Sequence, residues 1–107
     1  MKRIYISGPM KGIEGLNREA FESARLRLLR SEKEWSVFVT VPHFIANDEC
    51  WDESTPLNEI ASVLVSNLVG CDAIYMLRGW EQSKGARAEH AVAVWIGLEI
   101  MYQGGEA

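Results

Sequence analysis

The stretch DAIYMLRGWEQSKGARAEHAVAVWIG, residues 72–97, decides the fold predicted for this chain. It begins with a short apolar segment, Ala73 to Leu77, which is typical of a strand buried on both faces. A polar turn containing a glycine follows. Ser83 then precedes a helix whose first N–H groups have no carbonyl partners of their own, and such a helix end attracts anions. Strand, turn and helix together predict a small anion-binding site.

Glu89 lies within two turns of the start of that helix, on the face that carries Ala86, Ala93 and Gly97. Small residues on one face let a helix approach a sheet closely, so Glu89 is expected to point inward at the rim of the sheet. A carboxylate in that position is a candidate for catalysis. The alternative is structural, because acidic residues near a helix N-terminus oppose the macrodipole and stabilise the helix by about 0.3–1 kcal/mol.

Composition indicates one small domain spanning residues 1–107, with 48% hydrophobic residues to build a core. The net charge of −4 comes without a basic tract, which argues against a nucleic-acid polymer as partner. Cys50 and Cys71 are too far apart for a metal knuckle and suggest reduced thiols in a cytoplasmic protein. No metal or organic cofactor is expected. No apolar run is long enough for a signal peptide or a membrane span, so no membrane partner is expected either.

The rest of the chain alternates strands with helices. Strands are predicted at 3–6, 37–41, 73–77 and 98–102, and Asn17 and Thr55 are candidate N-caps of the first two helices. This order predicts an α/β fold, a flavodoxin-like or Rossmann-like three-layer sandwich with a parallel sheet of four or five strands. With strand order 2-1-3-4, the loops after the first and third strands converge where open α/β sheets bind ligands.

These two loops supply the candidate binding residues. The first loop contains Ser7, Gly8, Pro9, Met10, Lys11 and Gly12, and the second contains Gly79, Trp80, Ser83, Gly85 and Ala86. Neither loop carries the P-loop or dinucleotide glycine motif, and neither histidine has a catalytic-triad signature around it. The anion site alone would suggest a nucleotide-binding module. Attack of Glu89 on an anomeric carbon, forming a glycosyl ester, is the catalytic alternative.

Three segments carry a resemblance to a known family: Ser7-Gly8-Pro9-Met10 after the first strand, Cys71-Asp72-Ala73-Ile74 at the third, and Gly79 to Ala86 together with Glu89. They resemble the DUF4406 group of phage and bacterial proteins. That group is similar to the nucleoside 2-deoxyribosyltransferases and the 2′-deoxynucleoside 5′-monophosphate N-glycosidases. The resemblance covers nearly the whole chain, and its most specific part is the Ser-x-Gly-x-x-x-Glu pattern at residues 83, 85 and 89.

The resemblance implies a flavodoxin-like fold in which Glu89 is the nucleophile. Transferases acting on free nucleosides usually have an aspartate at the position of Ser83, whereas the monophosphate hydrolases have a serine that binds the 5′-phosphate. Ser83, together with the Ser7–Gly12 loop and Lys11, therefore favours a nucleotide over a nucleoside as the small-molecule partner. Simple capping of the helix by Ser83 is the alternative.

Family members commonly carry an acid on the helix preceding the third strand, at the position of Leu64 in this chain. A general acid contributes about 10²–10⁴-fold to a rate. Asp72, Glu59 or a residue of a second subunit would have to replace it, or the protein binds a nucleotide without turning it over. Asp72 is taken as the second catalytic candidate, although it is also an ordinary polar residue at a strand start.

Three further expectations concern aromatic and apolar side chains. Tyr5, inside the first strand, is interpreted as a core residue, although the resemblance implies an aromatic or small residue near the sugar at this position. Trp80 either stacks on a base or packs over the helix start. The last helix is apolar nearly all round, which predicts a deep core position or a subunit interface. A homodimer or higher homo-oligomer is therefore expected, with the following residues in the contact: Val92, Val94, Trp95 and Ile96.

Overall fold

The structure, a computed structural model, describes residues 1–10, 13–31, 37–43, 45 and 54–104. In this part of the chain the strands are β1 (Lys2–Ser7), β2 (Val37–Thr40), β3 (Ala73–Met76) and β4 (Glu99–Tyr102). The helices are α1 (Arg18–Ser31), α2 (Leu57–Val69) and α3 (Lys84–Ile96). Each predicted strand and helix is present. Between residues 43 and 54 the structure describes only His43, Ile45 and Ser54.

The four described strands form one parallel sheet with the order β2-β1-β3-β4, which confirms the predicted topology. The register pairs Ile4 with Ala73 and Ser7 with Met76. Strands β1 and β3 therefore end at the same level. The loops that follow them start side by side at the carboxyl edge of the sheet, as expected for a switch point.

Helices cover both faces of the sheet. On one face, α1 packs Phe21, Ala24 and Leu28 into a cluster of buried apolar side chains around Ile4 and Ile6. On the other face, side chains of α2 and α3 form a second cluster with strand residues: Leu68, Ala86 and Ala93 from the helices, and Tyr5, Ile74 and Met76 from the strands. The three-layer α/β sandwich is confirmed. Strand β3 is buried on both faces because it lies between the layers.

No helix among the described residues combines the length and the apolar character needed to cross a membrane.

Three helix ends differ from expectation. The side-chain amide of Asn17 donates to the carbonyl oxygen of Pro9, at 2.9 Å, from within a left-handed turn that precedes α1. The N-cap of α2 is Pro56 and not Thr55, because the extended ψ of 142° at Pro56 places it outside the helix. Gly97 does not extend the buried face of α3. It is exposed, and its positive φ of 80° ends the helix.

Candidate active site

Glu89 is the only buried acidic residue in the described part of the chain, with 8% of its surface exposed. The hydroxyl of Tyr5 donates to Oε2 of Glu89 at 2.5 Å, and the hydroxyl of Ser7 donates to Oε1 at 2.6 Å. Each carboxylate oxygen thus accepts one hydrogen bond from β1. The two bonds hold the carboxylate in a single orientation at the carboxyl edge of the sheet.

Local sequence explains why these groups meet. Tyr5 and Ser7 are two residues apart in a strand, so their side chains point to the same face of the sheet. That face is covered by α3, whose inner surface presents the small side chains of Ala86 and Ala93, both almost fully buried. Small contact residues bring the helix axis close to β1. Glu89 can therefore reach the two hydroxyls.

Burial has the largest effect on the pKa of Glu89. Desolvation raises the pKa of Glu89 above its ordinary value, and the hydrogen bonds from Ser7 and Tyr5, which favour the anion, offset it only in part. Burial, together with the neighbouring carboxylate, raises the pKa of Tyr5 well above its ordinary value. Tyr5 therefore remains a protonated donor near neutral pH. Glu89 is a poorly solvated carboxylate held by neutral hydroxyls.

The loops after β1 and β3 are packed against each other. A Cβ added to Gly8 would lie 2.7 Å from Cβ of Leu77, so only glycine allows this approach. Gly79 has a φ of 85°, and a Cβ there would lie 3.7 Å from Cγ of Pro9. The backbone N–H of Leu77 also donates to the carbonyl of Ser7 at 2.9 Å. The convergence expected from the strand order is present.

Ser83 is the N-cap of α3. Its hydroxyl accepts a hydrogen bond from the N–H of Ala86 at 3.2 Å, and the N–H of Arg87 makes the first bond to a helical carbonyl, that of Ser83. The N–H groups of Lys84 and Gly85 precede that bond and have no intrahelical acceptor. Ala86 is buried, whereas Gly85 is exposed at the helix end. The capping role expected as the alternative for Ser83 is therefore real, and it leaves two N–H groups directed away from the helix.

Trp80 packs against the protein. Its ring stacks on that of His90, with 4.3 Å between centroids and 27° between planes, and Nε2 of His90 lies 2.9 Å from the hydroxyl of Tyr102. Of the two interpretations offered for Trp80, this arrangement corresponds to packing over the helix start. His90 is directed to this aromatic cluster and not to Glu89.

Asp72, the second catalytic candidate, does not lie beside Glu89. It precedes β3 at the amino edge of the sheet, where its Oδ2 accepts the backbone N–H of Arg3 at 2.8 Å. The register sets Asp72 level with Arg3, four residues below Ser7, or about 13 Å along the strand. Met10, one of the expected binding residues, is partly buried and packs against the apolar cluster on the α1 side of the sheet. The expected binding residues Lys11 and Gly12 lie outside the described residues.

Three side chains of this region make contacts that were not predicted from the sequence. Tyr5 is a core residue, as interpreted from sequence, and it is fully buried. Its hydrogen bond to Glu89 was not predicted, and its spacing to Ser7 on one strand face was the available indication. Asn17 and His43 contact the β1–α1 connection: Asn17 donates to Pro9, and His43 places Nε2 2.9 Å from the carbonyl of Leu16. No sequence pattern indicated either of these two contacts.

A parallel sheet with helices on both faces defines an α/β protein of the Rossmann-like class. In this protein, a carboxylate bound by two hydroxyls lies at the carboxyl edge of that sheet. Within that class, the chain belongs to the family described as "Domain of unknown function (DUF4406)", whose model matches residues 2–102. Curated proteins gave no match to the sequence.

One solved structure similar to this chain is described as a 2-desoxiribosyltransferase from Leishmania mexicana, with 23% sequence identity and a TM-score of 0.65. The match covers 95% of this chain and 63% of that chain, so the sequence spans less than two thirds of that protein. At this identity the likeness establishes a shared fold.

Proposed function

We propose that this protein cleaves the N-glycosidic bond of a (deoxy)nucleoside 5′-monophosphate, or exchanges its base, with Glu89 as the nucleophile. The observation that carries the proposal is the buried Glu89 carboxylate, which accepts one hydroxyl hydrogen bond on each oxygen at the ligand-binding edge of the sheet. The description of the structural relative, which names deoxyribosyl transfer, supports the same reaction class.

The reaction consists of two displacements. A carboxylate oxygen of Glu89 attacks C1′ of the sugar, the C1′–N bond breaks, and its electron pair leaves on the base, which takes up a proton. Water then attacks C1′ of the glycosyl ester and gives hydrolysis, or a second base attacks and gives exchange. The configuration at C1′ is retained, and Glu89 is regenerated as a carboxylate. Tyr5 and Ser7 orient the carboxylate before attack and stabilise its charge after release.

The environment of Glu89 favours this role over a structural one. Burying a carboxylate without a cationic partner is costly, and its neutral hydroxyl donors offset the cost only in part. A glutamine could accept a hydrogen bond from one hydroxyl with its amide oxygen and donate one to the other with its amide nitrogen, without that cost. A weakly solvated carboxylate is, however, what a nucleophile requires. Groups whose ionisation is disfavoured by burial cluster at active sites.

The start of α3 is proposed to bind the 5′-phosphate. Gly85 supports this assignment because a Cβ there would meet no atom within 4 Å, and its φ is not positive. Neither space nor backbone conformation requires glycine, which costs about 0.5–1 kcal/mol relative to alanine in a helix. Close approach of a ligand to the N–H groups of Lys84 and Gly85 would explain its presence. Ser83 and the β1 loop, including Lys11, would complete this subsite.

Leu64 favours a second candidate, a nucleotide-binding protein that turns its ligand over slowly or not at all. Its side chain packs on the apolar cluster that contains Tyr5, at the position where the resemblance leads one to expect an acid. Asp72 lies at the opposite edge of the sheet, which argues against it as the replacement for that acid within one subunit. Glu59 is exposed in the first turn of α2. Protonation of the leaving base would then depend on solvent or on a second subunit.

Release of free base tests the proposal. The purified protein is incubated with a panel of nucleoside 5′-monophosphates and the matching nucleosides, and the products are separated by chromatography. Base release from monophosphates by the wild type, lost in Glu89→Gln, is the expected result. Glu81→Gln is the matched control, since Glu81 is an exposed acid in the preceding turn and should not affect release.

Two outcomes would change the conclusion. Equal release by the wild type and Glu89→Gln would exclude Glu89 as nucleophile. Calorimetric binding of monophosphates without release of base would support the nucleotide-binding alternative and exclude the enzymatic one for those substrates.

A further inference from the structure

The connection between β1 and α1 contains a strained turn. Gly15, Leu16 and Asn17 are consecutive residues in the left-handed region, with φ values of 63°, 55° and 62°. This conformation is unfavourable for a residue with a Cβ, and leucine gains nothing from it locally. Such strain persists only where surrounding contacts over-determine the backbone, and it concentrates near functional sites.

Two side chains from different parts of the chain hold this turn. Nε2 of His43, just beyond β2, lies 2.9 Å from the carbonyl oxygen of Leu16. Because a carbonyl only accepts, His43 must carry its proton on Nε2. Asn17 donates from its side-chain amide to the carbonyl of Pro9 at 2.9 Å. The two hydrogen bonds link the end of β2, the left-handed turn and the loop after β1 in series.

His43 is well placed to act as a fixed donor. It is 3% exposed, its ring packs edge-on against Phe21 of α1 at 4.7 Å, and burial lowers its pKa. Its Nδ1 has no hydrogen-bond partner among the described residues. The imidazole therefore makes one polar contact in this part of the structure, and that contact is directed at the turn.

We propose that His43, Leu16 and Asn17 form a strap that positions Pro9, and through Pro9 its neighbours Gly8 and Met10, for nucleotide binding. The three are positioning residues, since they act through the backbone of Pro9. The loop after β1 is already fixed on its other side, where Gly8 packs on Leu77 and Pro9 lies beside Gly79. The strap fixes the remaining side, so that Gly8, Pro9 and Met10 meet a ligand in one conformation. The binding role rests on the proposed function, whereas the mechanical role does not.

Two variants remove the strap and two keep it. Asn17→Gly loses the donor to Pro9 but tolerates the positive φ. His43→Leu loses the donor to Leu16 and leaves a buried apolar side chain beside Phe21. His43→Gln retains an N–H donor at a similar reach and should restore the contact. Leu16→Asn is the matched control, because it keeps the carbonyl acceptor, and asparagine accepts the left-handed conformation better than leucine does.

Backbone ¹⁵N order parameters of Gly8 and Met10 report on the strap without any substrate. We expect them to fall from about 0.85 to below about 0.6 in Asn17→Gly and His43→Leu, and to stay high in the other two variants. With a nucleoside 5′-monophosphate that releases base, KM should rise about fivefold in the two strap-removing variants, as loss of one hydrogen bond implies, while kcat changes less than about twofold.

Unchanged order parameters in both strap-removing variants would refute the proposal that the strap holds Gly8 and Met10 in place. Lost order with unchanged KM would overturn its role in binding. If the wild type releases no base, the Kd of the same monophosphate replaces KM. A wild type that neither binds nor reacts would overturn the proposed function and the binding role with it, and the order parameters would still decide whether the strap holds the loop.

Discussion

The phenolic oxygen of Tyr5 lies 2.5 Å from Oε2 of Glu89, although the two residues are 84 positions apart in the sequence. The contact joins the first strand of the sheet to the last helix of the described chain. The contact also gives the buried hydroxyl of Tyr5 and the buried carboxylate of Glu89 a polar partner. A core built for stability alone would have no need of this pair, which agrees with the role proposed for Glu89.

Tyr5→Phe should lower the rate of base release by about 10- to 100-fold, because Glu89 loses one of the two hydroxyl hydrogen bonds that orient it for attack. The hydrogen bond from Tyr5 lowers the pKa of Glu89, so its loss should raise that pKa further. The rising limb of the pH–rate profile should therefore move to higher pH. Steady-state rates across a pH series measure both effects. Tyr75→Phe, on the opposite face of the sheet, is the control, and an unchanged limb in Tyr5→Phe would contradict the assignment.

Glu89→Gln should make the protein at least as stable as the wild type at neutral pH. The folded-state pKa of Glu89 is raised above the ordinary value of 4.5, so the folded wild type binds this proton more tightly than the unfolded chain does. Wild-type stability is then lost as pH rises from that ordinary value through the raised one. The difference in free energy of unfolding between Glu89→Gln and the wild type should grow over the same pH window and level off above it. Thermal denaturation at several pH values measures it, and an advantage that shrinks as pH rises would refute the prediction.

Gly85→Ala should stabilise the fold and weaken nucleotide binding at the same time. Alanine relieves a cost of about 0.5–1 kcal/mol in the first turn of α3, worth a few degrees in Tm. The added methyl group would stand where a phosphate is proposed to approach the backbone. Calorimetric titration should show a higher Kd for monophosphates and little change for nucleosides. Gly70→Ala, at the exposed end of α2, is the matched control. Tighter or equal monophosphate binding in Gly85→Ala would refute the proposed phosphate subsite at the start of α3.

Trp95→Lys should yield a monomer, if the expected homo-oligomer forms through α3. Trp95 is 84% exposed and Val94 57% exposed in the single chain, whereas Val92 and Ala93 of the same helix pack toward the core. An aromatic anchor in an interface contributes about 2 kcal/mol or more, so the dissociation constant should rise at least about 30-fold. Sedimentation equilibrium measures it, with Leu26→Lys on α1 as the control. A monomeric wild type would refute the expectation.

The sequence was sufficient for the order and type of the elements because each one satisfies a local rule. Residues 73–77 are apolar throughout, as a strand covered on both faces must be, and Ser83 caps the helix that follows it. The inward direction of Glu89 followed from the small residues spaced around it. In the same way, the alternation of strands and helices implied a parallel sheet and the edge at which its loops meet.

Contacts between distant segments lay beyond local rules. The partners of Glu89 depend on which strand lies beneath α3, and the place of Asp72 depends on which edge of the sheet it faces. Likewise, the left-handed turn at residues 15–17 has only one glycine, and the hydrogen bond that His43 makes to the carbonyl of Leu16 comes from a segment 27 residues further along the chain.

The amino-acid sequence by itself determined the elements, the layer order and the candidate carboxylate, because periodicity, capping and side-chain size act over a few residues. The tertiary structure alone decided that Tyr5 and Ser7 hold Glu89, that Asp72 lies at the far edge, and that Trp80 packs on His90. Those outcomes depend on the packing of segments that are remote along the chain, where burial and the need to satisfy polar groups select the partners.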